Sequence, residues 1–196
     1  MEQPVPAKPA RPRNAASLIL VRHSSKGLEV LMGKRPRRSS FAPDVFVFPG
    51  GKVDAADFAA QPIRPLDADC VRRTGASPRL ATALAAAALR ETREETGLVL
   101  PEDHSALALV ARAITPTASP IRFHARFFIA DADQAEGDHA DSHELTELAF
   151  RPLEETRKLA LMDVTEAMLE ILATDERPEP FLFTYRYGRP WRKQLG

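Results

Sequence analysis

At 196 residues, 44% hydrophobic and 28% charged, the chain suits a single globular domain with modest extensions. Equal totals of 27 Lys+Arg and 27 Asp+Glu exclude an overall pull toward nucleic acid or an anionic membrane surface, so any polyanionic ligand must be met by local arginines. The lone Cys70 excludes an internal disulfide, and no apolar run approaches the roughly 20 residues that span a bilayer, which together predict a soluble, cytoplasmic protein.

Residues 1–13 hold four prolines, three basic residues and almost nothing to bury, and are expected to be a disordered lead to one domain over 14–196. Residues 15–22 and 28–35 are apolar runs separated by Ser24-Ser25-Lys26-Gly27, which predicts a β-hairpin. A polar loop rich in Arg and Ser leads to Val45-Phe46-Val47-Phe48, a short buried strand broken by Pro49-Gly50-Gly51. Two glycines after a proline let backbone come close to a ligand. Asp54 and Asp57 add carboxylates beside that turn. Residues 58–77 lack clear periodicity and read as an irregular insertion with one short helical piece.

The most regular segment follows. Ser77 is an N-cap residue, Pro78 fits the first helical position, residues 81–89 are almost all alanine and leucine, and Gly97 closes the helix in a left-handed conformation. Beyond it, residues 106–114 and 122–130 predict two strands, with Phe127, Phe128 and Ile129 buried on both faces. An acidic loop, a strand over 144–150, an amphipathic helix over 163–172 and a final strand or packed tail over 181–187 complete the chain. Mixed strands flanking two helices predict an α/β or α+β sandwich.

Within the long helix Glu91, Glu94 and Glu95 fall at i, i+3 and i+4, so three carboxylates share one stripe. Like charges at this spacing repel by a few tenths of a kcal/mol per pair, and anions near a helix C-terminus oppose the macrodipole by about 0.3–1 kcal/mol each. One reading is a solvated charged face, partly neutralised by Arg90 and Arg93. The other is a hard divalent cation held by carboxylate oxygens, with Mg²⁺ bridging to phosphate the best fit.

Gly51, Asp57 and Arg90-Glu91-Thr92-Arg93-Glu94-Glu95-Thr96-Gly97-Leu98 together resemble the signature of the Nudix hydrolases. Asp57 stands for the first glutamate of that box, Thr92 for an aliphatic residue, and the gap from Asp57 to Arg90 exceeds the usual spacing. A box split after Phe48-Pro49-Gly50-Gly51, with Asp54-Ala55-Ala56-Asp57 behind it, resembles the branch that contains peroxisomal coenzyme A diphosphatases. The coenzyme A motif of that branch is half kept: Arg35 holds its spacing to Phe48, whereas Ser40 and Asp44 stand where the motif has Arg and Gly.

The resemblance implies a Nudix α/β/α sandwich with a mixed sheet and an insertion, at about 58–77, inside the box. It implies an enzyme that uses Mg²⁺ or Mn²⁺ to cleave the diphosphate of a nucleoside diphosphate linked to another group. Coenzyme A or an acyl-coenzyme A, ADP-ribose and a nucleotide sugar all fit, and a module that binds a nucleotide without cleaving it is the rival. Glu94, Glu95, Glu91, the Gly50 carbonyl and Asp57 would then be metal ligands, with Arg90 orienting Glu94. Glu91 is either a ligand or the base that deprotonates water, and Glu144 is a second catalytic candidate. Arg35, Arg122 and Arg126 would face the substrate. His124 and His143 are expected not to be ligands, because Mg²⁺ prefers oxygen. The partner is a small molecule, not nucleic acid or membrane, and a homodimer is an allowed assembly.

Overall fold

The computed structural model describes residues 10–175 and 178–196. Most of the expected lead lies outside the described residues, which enter as an exposed stretch over 10–12. β1 (Arg13–Ser24) and β2 (Gly27–Lys34) form the predicted hairpin, turning at Gly27 with φ 90°. The two strands pair only from Ser24↔Gly27 to Val21↔Val30 and then part. β3 (Phe46–Val47) joins β2 at Gly33 and Lys34, while β4 (Gly50–Lys52) joins β1 at Ala15, Ala16 and Ser17. Pro49 therefore sits in the fork, where its carbonyl accepts the Leu18 N–H at 3.0 Å.

The remaining strands are β5 (Ala108–Ile114), β6 (Phe123–Asp131), β7 (Thr146–Pro152), β8 (Phe181–Arg186) and β9 (Arg189–Gln194). The sheet runs β3-β2-β1-β6-β5-β8-β9, with β7 on the other side of β2. β1–β6 and β5–β8 are parallel pairs and the other pairings are antiparallel, so the sheet is mixed. The stretch expected as a final strand or packed tail over 181–187 holds β8, which turns at Tyr187-Gly188 into β9 as a hairpin.

Among the described residues four α-helices cover the sheet: α1 (Ala68–Thr74), α2 (Pro78–Thr96), α3 (Leu153–Thr156) and α4 (Asp163–Leu172). Leu18, Leu20, Leu31 and Phe128 pack in the cluster under α2, while Ile19, Val30, Met32, Phe127 and Ile129 pack with Met168 and Leu172 of α4. Side chains alternate across each strand, so a strand apolar at every position feeds two cores, giving the α/β/α sandwich. α2 has the expected ends: Ser77 Oγ accepts the Leu80 N–H at 3.3 Å and Gly97 takes φ 81°. Thr92, fully buried where an apolar residue is usual, donates its hydroxyl to the Ala88 carbonyl at 2.8 Å. That internal bond is what makes a threonine tolerable there.

The segment over 58–77 is more ordered than its sequence suggests. Asp67 caps α1 by accepting from the N–H groups of Asp69 and Cys70, and Gly75 ends it with φ 63°. Leu66 and Cys70 belong to the core under α2. Leu66, 6% exposed, and Ile63, 74% exposed, lie three residues apart and have opposite roles. Leu66→Ala should lower unfolding free energy by about 2–5 kcal/mol. Ile63→Ala should stay within about 0.5 kcal/mol of the parent. Denaturant melts of the two variants test this, and equal effects would make the segment a dispensable loop.

Candidate metal and catalytic site

The fork in the sheet sets the last turns of α2 against Pro49-Gly50-Gly51. Glu95, 4% exposed, accepts the Gly50 N–H on Oε2 at 2.8 Å. Glu91 lies over Gly51, where an added Cβ would stand 2.3 Å from Glu91 Oε1. A Cβ on Gly50 would meet Ser17 Oγ at 2.3 Å and the Ala16 carbonyl oxygen at 2.5 Å. Gly50 is thus required by strand β1, whereas Gly51 leaves the space that the Glu91 carboxylate fills. Glu94 is the outermost member of the stripe, its side chain 54% exposed.

Arg90 ties these groups together. Its Nε and Nη2 donate to Asp57 Oδ1 and Oδ2 at 2.9 and 3.1 Å, and Nη1 donates to Glu91 Oε1 at 2.9 Å and Glu94 Oε2 at 3.1 Å. Nη2 also reaches the Lys52 carbonyl at 3.1 Å. Asp57 is buried and its Oδ2 accepts the Asp54 N–H at 2.7 Å as well. Both its oxygens are therefore committed to Arg90 and the local turn, which sets it apart from the ligand role given to it above. Spacing in the sequence could not reveal that, because the two residues are 33 positions apart.

The loops that frame the stripe carry the other expected residues. Arg35 donates Nε to the Phe41 carbonyl at 3.0 Å and lies near enough to Glu95 for its charge to act there. Asp44 has φ 61°, a left-handed conformation that suits the glycine of the coenzyme A motif and that Asp tolerates better than most residues. Its carboxylate pairs with Lys34 at 3.1 Å. Glu144 lies on the exposed loop before β7, held by Ser142 Oγ, which accepts the Leu145 N–H at 3.1 Å. Arg38 Nη2 bonds the His143 carbonyl at 3.2 Å and so links the loops on either side.

Arg122 and Arg126 are each bonded to groups of the protein itself. Arg126 is 2% exposed, with Nε on the Thr74 carbonyl at 3.2 Å and Nη1 on Asn14 Oδ1 and the His124 carbonyl, both at 2.8 Å. It lies beneath the C-terminal end of α1, not over the carboxylate stripe. Arg122 bonds the carbonyls of Thr115 and Ala10 at 3.2 and 2.8 Å, fastening the chain ahead of β1 to the loop before β6. Among the described residues no three acidic, cysteine or histidine side chains converge as a ready cation cage.

The NUDIX domain profile matches residues 75–175, just over half of the chain. The chain belongs to the NUDIX family. The match takes in α2 with its carboxylate stripe, and leaves Gly51 and Asp57 outside the matched stretch. A curated relative, the acyl-coenzyme A diphosphatase NUDT19 of Gallus gallus, is 36% identical over 121 residues, covering 45% of this chain and 32% of that protein. The chain thus spans about a third of the length of that relative. Among solved structures, a NUDIX hydrolase from Alicyclobacillus acidocaldarius superposes with TM-score 0.68 at 25% identity, covering 87% of this chain and 95% of the other. The mMutator MutT protein of Bacillus halodurans shares the fold, with TM-score 0.60 at 18% identity over 92% and 97% of the two chains.

Electrostatics in this NUDIX site follow from burial. Loss of solvent pushes Glu91 above the usual carboxylate range against the opposing Arg90 hydrogen bond, and Glu94 and Glu144 add to the rise. Burial pushes Glu95 up to about 8, opposed by the Gly50 N–H and reinforced by Glu91 and Glu144. The folded state therefore holds a proton on Glu95 that the unfolded chain releases near its ordinary value of 4.5. Stability from this group is full below about pH 4.5 and falls as pH rises toward 8. Glu95→Gln removes the ionisation while keeping the acceptor for Gly50. In chelator-treated buffer its Tm should gain on the parent's steadily between pH 5 and 8. A pH-independent difference would mean that Glu95 titrates normally.

Proposed function

We propose that this chain is a divalent-cation-dependent hydrolase of the diphosphate bond in a nucleoside diphosphate linked to a second group. One observation carries the reading: Glu91, Glu94 and Glu95 share one helical stripe set against Gly50-Gly51, with Arg90 bonded to Glu91 and Glu94 and the Gly50 N–H bonded to Glu95. The donors are all oxygen, which fits Mg²⁺ or Mn²⁺. Glu94 and Glu95 would hold the ion with the Gly50 carbonyl, and Glu91 would be a further ligand or the base. Such an ion neutralises charge that develops on the phosphoryl oxygens. Arg90 would fix the directions of Glu91 and Glu94, and Asp57 would hold Arg90. Glu144 would add a carboxylate from the loop opposite.

Coenzyme A or an acyl-coenzyme A is the preferred substrate class, supported by the likeness to NUDT19 and by the retained Arg35. A panel of coenzyme A, ADP-ribose, nucleotide sugars and dinucleotides, with Mg²⁺ or Mn²⁺ and product identification, tests the class. Glu94→Gln and Glu95→Gln should each fold and lose most turnover; a near-normal kcat in either would remove it from the ligand set. No turnover on any diphosphate would leave a nucleotide-binding module instead. For Arg35, a charge-assisted hydrogen bond to a 3′-phosphate is worth about 1.5–3 kcal/mol, or roughly a 10- to 150-fold preference for coenzyme A over 3′-dephospho-coenzyme A. Arg35→Ala should abolish that preference, and equal kcat/KM in the parent would exclude recognition of the 3′-phosphate.

A further inference from the structure

A second concentration of charge lies on the same face of the sheet. Residues in direct register across strands project to one face, and one such row runs Gly51↔Ala16↔Arg126↔Arg112↔Leu182↔Lys193 through β4, β1, β6, β5, β8 and β9. Like charges directly opposite on neighbouring strands destabilise a sheet. Arg112 and Arg126 are nevertheless such a pair, Arg126 buried and Arg112 half-buried.

Among the described residues nothing neutralises them. Arg126 donates only to neutral acceptors, the carbonyls of Thr74 and His124 and the side-chain amide of Asn14. Arg112 donates Nε to His124 Nε2 at 3.4 Å, and no carboxylate offsets either guanidinium among the described residues. Burial and the Arg112 charge push Arg126 down to about 10, and burial with both arginines pushes His124 down to about 4, so its ring is neutral. A buried charge is normally paired, because leaving it unpaired costs several kcal/mol by general experience with buried ions.

Gly75, at the end of α1, leaves the space that the Arg112 guanidinium fills, since a Cβ there would come within 2.4 Å of Nη1 and 2.6 Å of Cζ. Arg126 is fixed by its three acceptors. Arg112 and His124 remain partly exposed and Lys193 is exposed at the end of the row, so the charge can be reached from solvent. Two rigid guanidinium forks side by side match the oxygens of a tetrahedral oxyanion.

We propose that Arg112 and Arg126, rimmed by Lys193 and His124, form a binding site for a phosphoryl group, distinct from the carboxylate stripe. Two to three strand spacings, about 10–15 Å, separate the pair from Gly51. The ligand is inorganic phosphate or the phosphomonoester end of a nucleotide, and the test separates these sources. Full-length protein is melted in chelator with increasing inorganic phosphate or adenosine 3′,5′-bisphosphate, at ionic strength matched with sodium chloride.

The expected result is a saturable rise in Tm beyond the chloride control, the behaviour of a ligand that binds the folded state alone. A rise with inorganic phosphate identifies the free anion as sufficient, and a rise with the bisphosphate only identifies the monoester. Arg112→Met should have an equal or higher Tm without ligand, since repulsion is relieved, and should lose the ligand-induced rise. Ile63→Ala, at an exposed position outside both sites, should keep it. Should Arg112→Met not fold, the exposed Lys193→Gln carries the test and should show a reduced rise. No rise beyond chloride in the parent, or a rise undiminished in Arg112→Met or, if that variant does not fold, in Lys193→Gln, overturns the proposal.

Discussion

The Arg90–Asp57 pair is the interaction on which the rest of the site depends. An exposed i,i+4 ion pair such as Arg90–Glu94 contributes only about 0.3–0.5 kcal/mol. Asp57 is different, because its carboxylate is 4% exposed and meets the guanidinium through two hydrogen bonds. Removing one member of such a buried pair typically costs about 3–5 kcal/mol, since the other is left uncompensated. That strength lets Arg90 spend its remaining donors on Glu91, Glu94 and the Lys52 carbonyl, holding a helix face, a strand end and a 3₁₀ turn (Ala56–Ala59) in one geometry. Asp57 raises the Arg90 pKa further, so the hub stays charged at any pH at which the protein is folded.

The intervening segment does not loosen this arrangement, because it is itself packed. Leu66 and Cys70 enter the same core as the alanine face of α2, and Asp67, Gly75 and Ser77 supply a cap, a stop and a second cap in succession. The chain that separates Asp57 from Arg90 is therefore a short helical layer that returns to where it started. The 3₁₀ turn carrying Asp57 then lies against α2, with Arg79 stacked 5.6 Å from the Phe58 ring centroid.

Much of this was legible in the sequence. α2 was marked by Ser77, Pro78 and Gly97, which act through local backbone chemistry and need no tertiary context. The strands on either side of the two cores were marked by runs too apolar to have a wet face. β9 was not legible, since Arg189-Pro190-Trp191-Arg192-Lys193 is basic and contains proline, features that an edge strand tolerates and a central one does not. The surroundings of Arg126 were not legible for a related reason, since its bonds to Thr74, Asn14 and His124 exist only once the chain is folded. The pairing of Asp57 with Arg90 was not legible either, because it joins residues 33 positions apart that only the fold brings together.

The fork between β1 and β2 has a mechanical consequence. Pro49 and Gly50 are fastened to β1 by main-chain bonds, and Phe48, immediately before them, is 3% exposed in the opposite core, edge-on to Phe127 with ring centroids 6.4 Å apart. The turn beneath the acidic stripe is thus a lever whose far arm is an aromatic side chain under α4. Close-packed interiors transmit displacement instead of absorbing it. The shape of the core on one side of the sheet therefore calibrates the backbone donor presented to Glu95 on the other, and a lineage can retune its chemistry through a hydrophobic residue that never touches a ligand.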